Sequence, residues 1–275
     1  MLFVCPICKE KLNNDTGRVF CPRGHSFDKS RGGYYNLLVG RGGSHGDNAE
    51  MVRARREFLS YGYYEPLRRA LAEEVSSVAG SLAACEAAPL VVDAGCGEGY
   101  YTEAVYDRLS SLCENPALFA FDISKDAAKM TARRVRGAEV SVSSAYGMPL
   151  EDGACSVLYN VFSPLATDEV SRVLKSGGSF IMAIAGEEHL FSLKEKIYDT
   201  PYKNTVGDKR IAGFTLASER ELRYEFTLDS SEKIQNLFAM TPYAYRTSAL
   251  GRERASKLTR LALGAHFLIL HYKKD

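Results

Sequence analysis

Along the chain, short apolar runs end in an acid or in glycine, and stretches with helical spacing follow them. Pro89-Leu90-Val91-Val92 leads into Asp93 and then Gly95, Gly97 and Gly99, after which residues 101–110 predict a helix. A second run, 117–121, ends at Asp122 and precedes a helix over 125–136. Strands follow at 139–142 and 155–162, then a helix over 169–175, a turn at Ser176-Gly177-Gly178 and a fifth strand over 179–185. The apolar stretch 261–272 predicts a last strand that enters the sheet antiparallel. Strands alternating with helices predict a doubly wound α/β domain.

Upstream the pattern changes. Residues 49–60 predict a helix capped by Asp47 or Asn48 and carrying Arg53, Arg55 and Arg56. Those arginines suit a phosphate grip and equally a solvated face paired with Glu50 and Glu57. Residues 31–38 predict a short strand or turn, and 40–47 a mobile glycine-rich loop with an exposed His45.

Composition adds three constraints. The 275 residues suffice for one large domain and a small appendage. No run approaches the ~18 apolar residues of a membrane span, and the N-terminus lacks a secretion pattern, so a cytoplasmic location without a membrane partner is expected. The net charge of +1 hides an asymmetry: residues 1–56 hold ten Lys/Arg against five Asp/Glu. A basic head suggests a polyanionic partner, although zinc-bound thiolates would trim the surplus and solvated surfaces often carry as much.

Seven cysteines without a secretion signal argue for reduced thiols and a metal site rather than disulfides. Three stand in the first 21 residues, as Cys5-Pro6-Ile7-Cys8 and Cys21-Pro22-Arg23-Gly24-His25. Two short-spaced pairs deliver the four tetrahedral ligands that zinc requires, here Cys5, Cys8, Cys21 and His25. With all four supplied by protein, the expected site is structural. The intervening residues predict a hairpin with Asn13-Asn14-Asp15 and Gly17 as its turn.

The spacing Asp93-x-Gly95-x-Gly97-x-Gly99 departs from the dinucleotide fingerprint, whose pyrophosphate must sit on the helix end. It resembles motif I of class I S-adenosylmethionine-dependent methyltransferases; a glycine turn without a ligand is the bland alternative. Asp122 stands 25 residues beyond Gly97, where an acid grips ribose hydroxyls. Ser144 occupies a position where the adenine usually sits and where the superfamily often has Asp. Lys175-Ser176-Gly177-Gly178 resembles the Lys-Pro-Gly-Gly turn common in that superfamily.

Taken end to end, the chain resembles bacterial large-subunit ribosomal RNA guanine-N1-methyltransferases of the RlmA type. The resemblance rests on Cys5-Pro-x-Cys8, Cys21-Pro-x-x-His25-x-Phe-Asp28, Gly33-Tyr34-x-Asn36-Leu-Leu38, Arg55-Arg56-x-Phe-Leu59, Asp93 to Thr102, Asp122-x-Ser-Lys125, His189-Leu190, Gly213-Phe-Thr-Leu216 and Met240-Thr-Pro242. It implies a class I (Rossmann-like) fold with a mixed seven-stranded sheet and a small N-terminal zinc-binding module. It also implies methylation of guanine N1 in a hairpin of domain II of 23S rRNA, at one of two nearby guanines, by a homodimer. The implied cofactor contacts are Tyr64, Gly97, Glu98, Asp122 and His189, beside Asp93, Gly95, Gly99 and Ser144 from the loop reading. The expected organisation is a zinc-binding RNA-recognition module at 1–35, a linker and basic helix at 36–60, and the methyltransferase domain at 61–275.

Substrate-side candidates are Ser163, Pro164 and Tyr243, with Tyr245 nearby; core packing serves the tyrosines equally well. No residue announces itself as a general base. Asp168 and Glu169 suit helix-capping or surface roles, and His266 and His271 suit packing. Two other functions share these residues: a small-molecule methyltransferase with a structural zinc module, and a non-catalytic RNA-binding relative. The basic head and the family resemblance argue against the first, and the intact loop with Asp122 argues against the second.

Overall fold

Two tight turns open the fold in the computed structural model, which describes residues 3–39, 46–83 and 89–275. The Lys9 N–H donates to the Cys5 carbonyl at 2.8 Å and the Gly24 N–H to the Cys21 carbonyl at 3.0 Å. Gly24 has a φ of 84°, a left-handed conformation that glycine adopts without strain, and it turns the chain between Cys21 and His25. Three short antiparallel strands accompany these turns: β1 (Asn13–Asp15), β2 (Arg18–Phe20) and β3 (Ser26–Asp28). Asn13-Asn14-Asp15 is therefore a strand rather than a turn. Pairing with β2, which buries Val19, extends it, and the reversal falls on Thr16-Gly17.

After β4 (Tyr35–Asn36) the chain reaches α1 (Ala49–Ser60). Of the loop expected over 40–47, residues 40–45, His45 among them, lie outside the described residues. Asn48 caps α1, its side-chain oxygen accepting the Met51 N–H at 2.9 Å. Asn48→Ala is expected to cost about 1 kcal/mol in denaturant unfolding. An unchanged midpoint and slope would show that the cap contributes nothing.

The large unit continues with α2 (Glu65–Ala83), β5 (Val91–Ala94), α3 (Tyr100–Ser110), β6 (Leu118–Asp122), α4 (Lys125–Arg134), β7 (Glu139–Val142) and β8 (Cys155–Val161). Next come α5 (Thr167–Val173), β9 (Leu174–Ala185), α6 (Phe191–Ile197), β10 (Phe214–Leu228), α7 (Ser231–Met240), α8 (Tyr243–Arg246), α9 (Ala249–Ser256) and β11 (Leu261–Lys274). The main sheet runs β10-β11-β9-β8-β5-β6-β7-β4, with β11 antiparallel to both of its neighbours, β10 and β9, and the other pairings parallel. It has eight strands, not seven. The extra one is β4, which leaves the zinc module and pairs with β7 while Tyr35 and Leu37 bury beneath it. The expected helix over 169–175 runs instead from Thr167 to Val173, because Leu174 turns inward to pair with Cys155. The Lys175-to-Gly178 turn then bulges out of β9.

Two cores cover the sheet. On one face Phe58, Leu67, Leu71, Val105, Tyr159 and Phe267 gather under α1, α2 and α3. On the other, Phe3, Leu12, Val19 and the buried thiols of Cys5 and Cys21 share a core with Leu90, Val92, Phe119 and Phe121. The zinc module is thus the lid over β5 and β6 on that face. Phe3 meets the Phe119 ring edge-on at 4.8 Å between centroids.

Candidate functional site

The four proposed metal ligands converge. The donor atoms of Cys5, Cys8, Cys21 and His25 lie within 4.8 Å of one another. Cys8 and Cys21 sulfurs are 3.5 Å apart, and His25 Nδ1 stands 3.3 Å from Cys21 Sγ and 3.6 Å from Cys5 Sγ. A tetrahedral zinc with sulfur bonds near 2.3 Å holds its ligands about 3.8 Å apart. Three thiolates and an imidazole suit that ion, and four protein ligands make the site structural rather than catalytic.

The second site forms at the carboxyl ends of β5, β6 and β8. β5 is flanked by β6 on one side and β8 on the other, so the chain crosses in opposite directions from this point and opens a crevice there. Gly95, Gly97 and Gly99 have φ of 90°, 56° and 88°. A Cβ on Gly95 would come within 2.8 Å of Ser163 Cβ, and one on Gly99 within 3.0 Å of Thr131 Cα. The glycines therefore serve the left-handed turn and the close approach together. Asp122 locks the loop, accepting the Gly97 N–H at 3.0 Å and the Ser124 N–H at 2.7 Å. Burial raises its carboxyl, and these two N–H groups pull it back down.

Asp93 lies under the loop rather than in its mouth. Its Oδ2 accepts from Thr102 at 2.7 Å and from Tyr159 at 2.9 Å. Burial still pushes the carboxyl up to about 7. Glu98 is only 3% exposed; Oε2 pairs with Arg134, whereas Oε1 is buried and has no hydrogen-bond partner among the described residues. Burial raises this carboxyl too, with Arg134 opposing it. A partnerless buried acceptor beside a glycine turn is the kind of group a ligand donor satisfies. Ser144 follows β7, next to Ser143, whose N–H donates to the Asp122 carbonyl at 3.1 Å. Its oxygen accepts the Tyr146 N–H at 3.1 Å, leaving its own O–H to donate outward.

Tyr64 and His189 meet, hydroxyl to Nε2, at 3.1 Å. Because His189 Nδ1 accepts the His266 N–H at 3.3 Å, the ring proton of the neutral imidazole sits on Nε2 and points at Tyr64. Burial drives His189 down to about 3. The unfolded chain takes up this proton near pH 6.5 and the fold does not, so the fold loses stability as pH falls from 6.5 towards 3. The ring is expected to stay neutral from pH 8 to 5 by its imidazole 15N shifts; titration near 6.5 would contradict the assignment.

The remaining candidates separate. Ser163 sits over Gly95 at the loop, and Pro164 is exposed beside it. Tyr243 is half-buried, packs on Tyr198 and lies over Lys194, whose Nζ is 5.4 Å from the ring centre. Tyr245 is exposed and accepts from Asn48. Glu169 clamps Arg172 and takes the Met148 N–H at 2.7 Å, and Arg172 holds its carboxyl below the usual range. His266 and His271 are buried in β11, as packing roles require. Of the three arginines, Arg53 and Arg56 face solvent, while Arg55 turns to Gly97, pairs with Asp47 and donates to the Met240 carbonyl at 3.4 Å. It ties α1 and α7 over the loop, which is a structural duty.

Sequence reasoning missed three groups. Arg134 partners Glu98 from α4; Asn204 holds the His189 segment through the carbonyls of Gly186 at 2.9 Å and His189 at 3.2 Å; and buried Lys194 donates to Asn204 at 2.6 Å. Only the helical phase of Arg134 relative to Thr131 offered a signal. Asn204 and Lys194 lie in irregular or short elements without one.

Comparison with known proteins gives a consistent picture. The model of the RlmA N-terminal zinc ribbon matches residues 3–40, and a methyltransferase domain model matches residues 92–182. A putative 23S rRNA (guanine-N1-)-methyltransferase of Micromonospora griseorubida is 34% identical over 269 residues, covering 88% of this chain and 86% of that protein. The 23S rRNA (guanine(748)-N1)-methyltransferase of Streptomyces fradiae is 32% identical over 194 residues, 70% of this chain and 66% of its own. A putative 23S rRNA (guanine-N1-)-methyltransferase of Bacillus subtilis is 29% identical, with 94% of each chain covered.

Proposed function

The chain belongs to the family of RlmA-type 23S rRNA (guanine-N1)-methyltransferases, and from that premise we propose that it methylates N1 of one guanine in a hairpin of domain II of 23S rRNA, as a homodimer. S-adenosylmethionine is the methyl donor, and zinc is the structural metal. The observation that carries the reading is the union of a zinc ribbon with the glycine-loop sheet in one shared core, within a chain similar over 88% of its length to a relative. In this reading residues 1–35 meet the RNA, residues 36–60 link and cover the cofactor, and residues 61–275 carry the reaction.

The residues present fit the cofactor. The partnerless Glu98 Oε1 suits an ammonium, Asp122 suits a pair of ribose hydroxyls, and Ser144 offers a hydroxyl where an adenine would lie. Tyr64 and His189, the hydrogen-bonded pair that the resemblance counts among the cofactor contacts, complete the set, and Asp93 supports the loop from beneath. When bound, the donor supplies an electrophilic methyl carbon, so the chain's main task is to align the base with it. The neutral guanine N1 carries a proton that must leave, and a group accepting it or donating to O6 would help. With its proton on Nε2, His189 is a donor to Tyr64 rather than a base.

Incubation of radiolabelled S-adenosylmethionine with protein-free 23S rRNA lacking the modification tests the reading. Label released on nucleoside digestion as 1-methylguanosine is the expected result. Label confined to small molecules would favour the small-molecule methyltransferase instead.

A further inference from the structure

Three non-glycine residues of the described chain have a left-handed backbone: Lys9, Phe162 and Leu190. Lys9 closes the first zinc turn, and Leu190 is fully buried ahead of α6. Phe162 gains neither. Its φ is 53°, yet its side chain stays 47% exposed. A bulky residue rarely adopts this conformation, which persists only where surrounding structure over-determines it. Here the Phe162 N–H donates to the Ala183 carbonyl at 3.1 Å, and Ser163, the next residue, packs over Gly95. The turn that carries Ser163 down to the loop thus lifts the Phe162 ring beside it.

The ring's inner edge is fixed. Its centroid lies 5.7 Å from that of Phe267, which stands 4.5 Å from His189 and 5.0 Å from Tyr64. A row of rings therefore runs from the Tyr64–His189 pair to the mouth of the glycine loop, and Phe162 is its exposed end. A base that reacts at N1 must leave its stack, since that edge is paired or covered within a helix. Once out, it needs a flat apolar face next to the methyl donor.

We propose that Phe162 is that face: the target guanine stacks on its ring, which the left-handed backbone presents beside the cofactor loop. The inference rests on the reading of function above. Phe162→Ala, Phe162→Leu and Phe162→Tyr in the full-length protein test it by three readouts. These are the affinity for S-adenosylmethionine, kcat/KM for the RNA, and the fluorescence of a guanine analogue, 6-methylisoxanthopterin, at the target position. Leucine fills the contact with Phe267 but offers no aromatic face. Leucine and alanine are expected to lower kcat/KM roughly ten- to hundred-fold, lose the stacking quench and keep cofactor affinity, with tyrosine restoring both losses. Wild-type kcat/KM and quench in Phe162→Leu would overturn the proposal, as would a loss of cofactor affinity that accounts for the loss of rate. A wild-type protein that binds cofactor yet methylates no RNA would overturn the functional reading and this inference with it. Methylation unaffected by either substitution would overturn this inference alone.

Discussion

Cys21→Ser is expected to strip zinc from the chain and expose the face of the sheet that the N-terminal module covers. The strands of the module are three residues each, and β1 is exposed throughout. So small a unit cannot fold on its own burial; structural zinc sites of this kind supply about 10–16 kcal/mol of apparent binding energy at neutral pH. Losing one thiolate forfeits much of that. The damage does not stop at the module, because Phe3, Leu12 and Val19 share a core with Val92, Phe119 and Phe121. If ~3–5 kcal/mol of this burial is lost, melting falls by about 10 °C in a unit of this size. Calorimetry with zinc analysis, and hydrogen exchange at β5 and β6, check the prediction. A zinc-free Cys21→Ser protein with unchanged melting and protection would show that the ion does not hold this face.

Asp122→Ala is expected to abolish tight cofactor binding while leaving the sheet folded. Its carboxylate holds the Gly97 N–H and the Ser124 N–H, one on each oxygen. Hydrogen bonds to a charged group are worth about 1.5–3 kcal/mol each. Removing the acceptor frees the loop and takes away the proposed ribose partner, so affinity for S-adenosylhomocysteine falls roughly 100- to 1,000-fold. Asp122→Asn turns an amide donor toward an N–H and is expected to fare little better. Titration calorimetry reads both variants. A loss below about threefold, a fraction of 1.4 kcal/mol, would remove Asp122 from the site.

Much of this was legible because it depends on local spacing. Four metal ligands in two turns, and three glycines between an apolar strand and a helix, are dictated by short-range geometry, and the structure brings each set together. Strands β5 to β9 and their doubly wound class were legible from short apolar runs alternating with helical stretches. What escaped had no periodic signal. β10 is exposed along most of its length, so no buried face marked it as a strand. β1 is wholly polar and extended only by its partner, and β4 is two residues held by β7. Arg55 read as a phosphate grip or a solvated residue, but the fold turned it onto Asp47 and Met240, distant in sequence or across a loop. The Asn204 and Lys194 contacts likewise exist only once α6, the following irregular segment and the His189 turn meet.

Reverse transcription of 23S rRNA after incubation with the protein and S-adenosylmethionine tests the central claim most directly, because a methyl group on N1 blocks the pairing edge of guanine. The expected result is one new, donor-dependent stop beside a single guanine of a domain II hairpin. No stop at any guanine, from protein that binds the cofactor and retains its zinc, would contradict the assignment of this chain as an rRNA guanine-N1-methyltransferase.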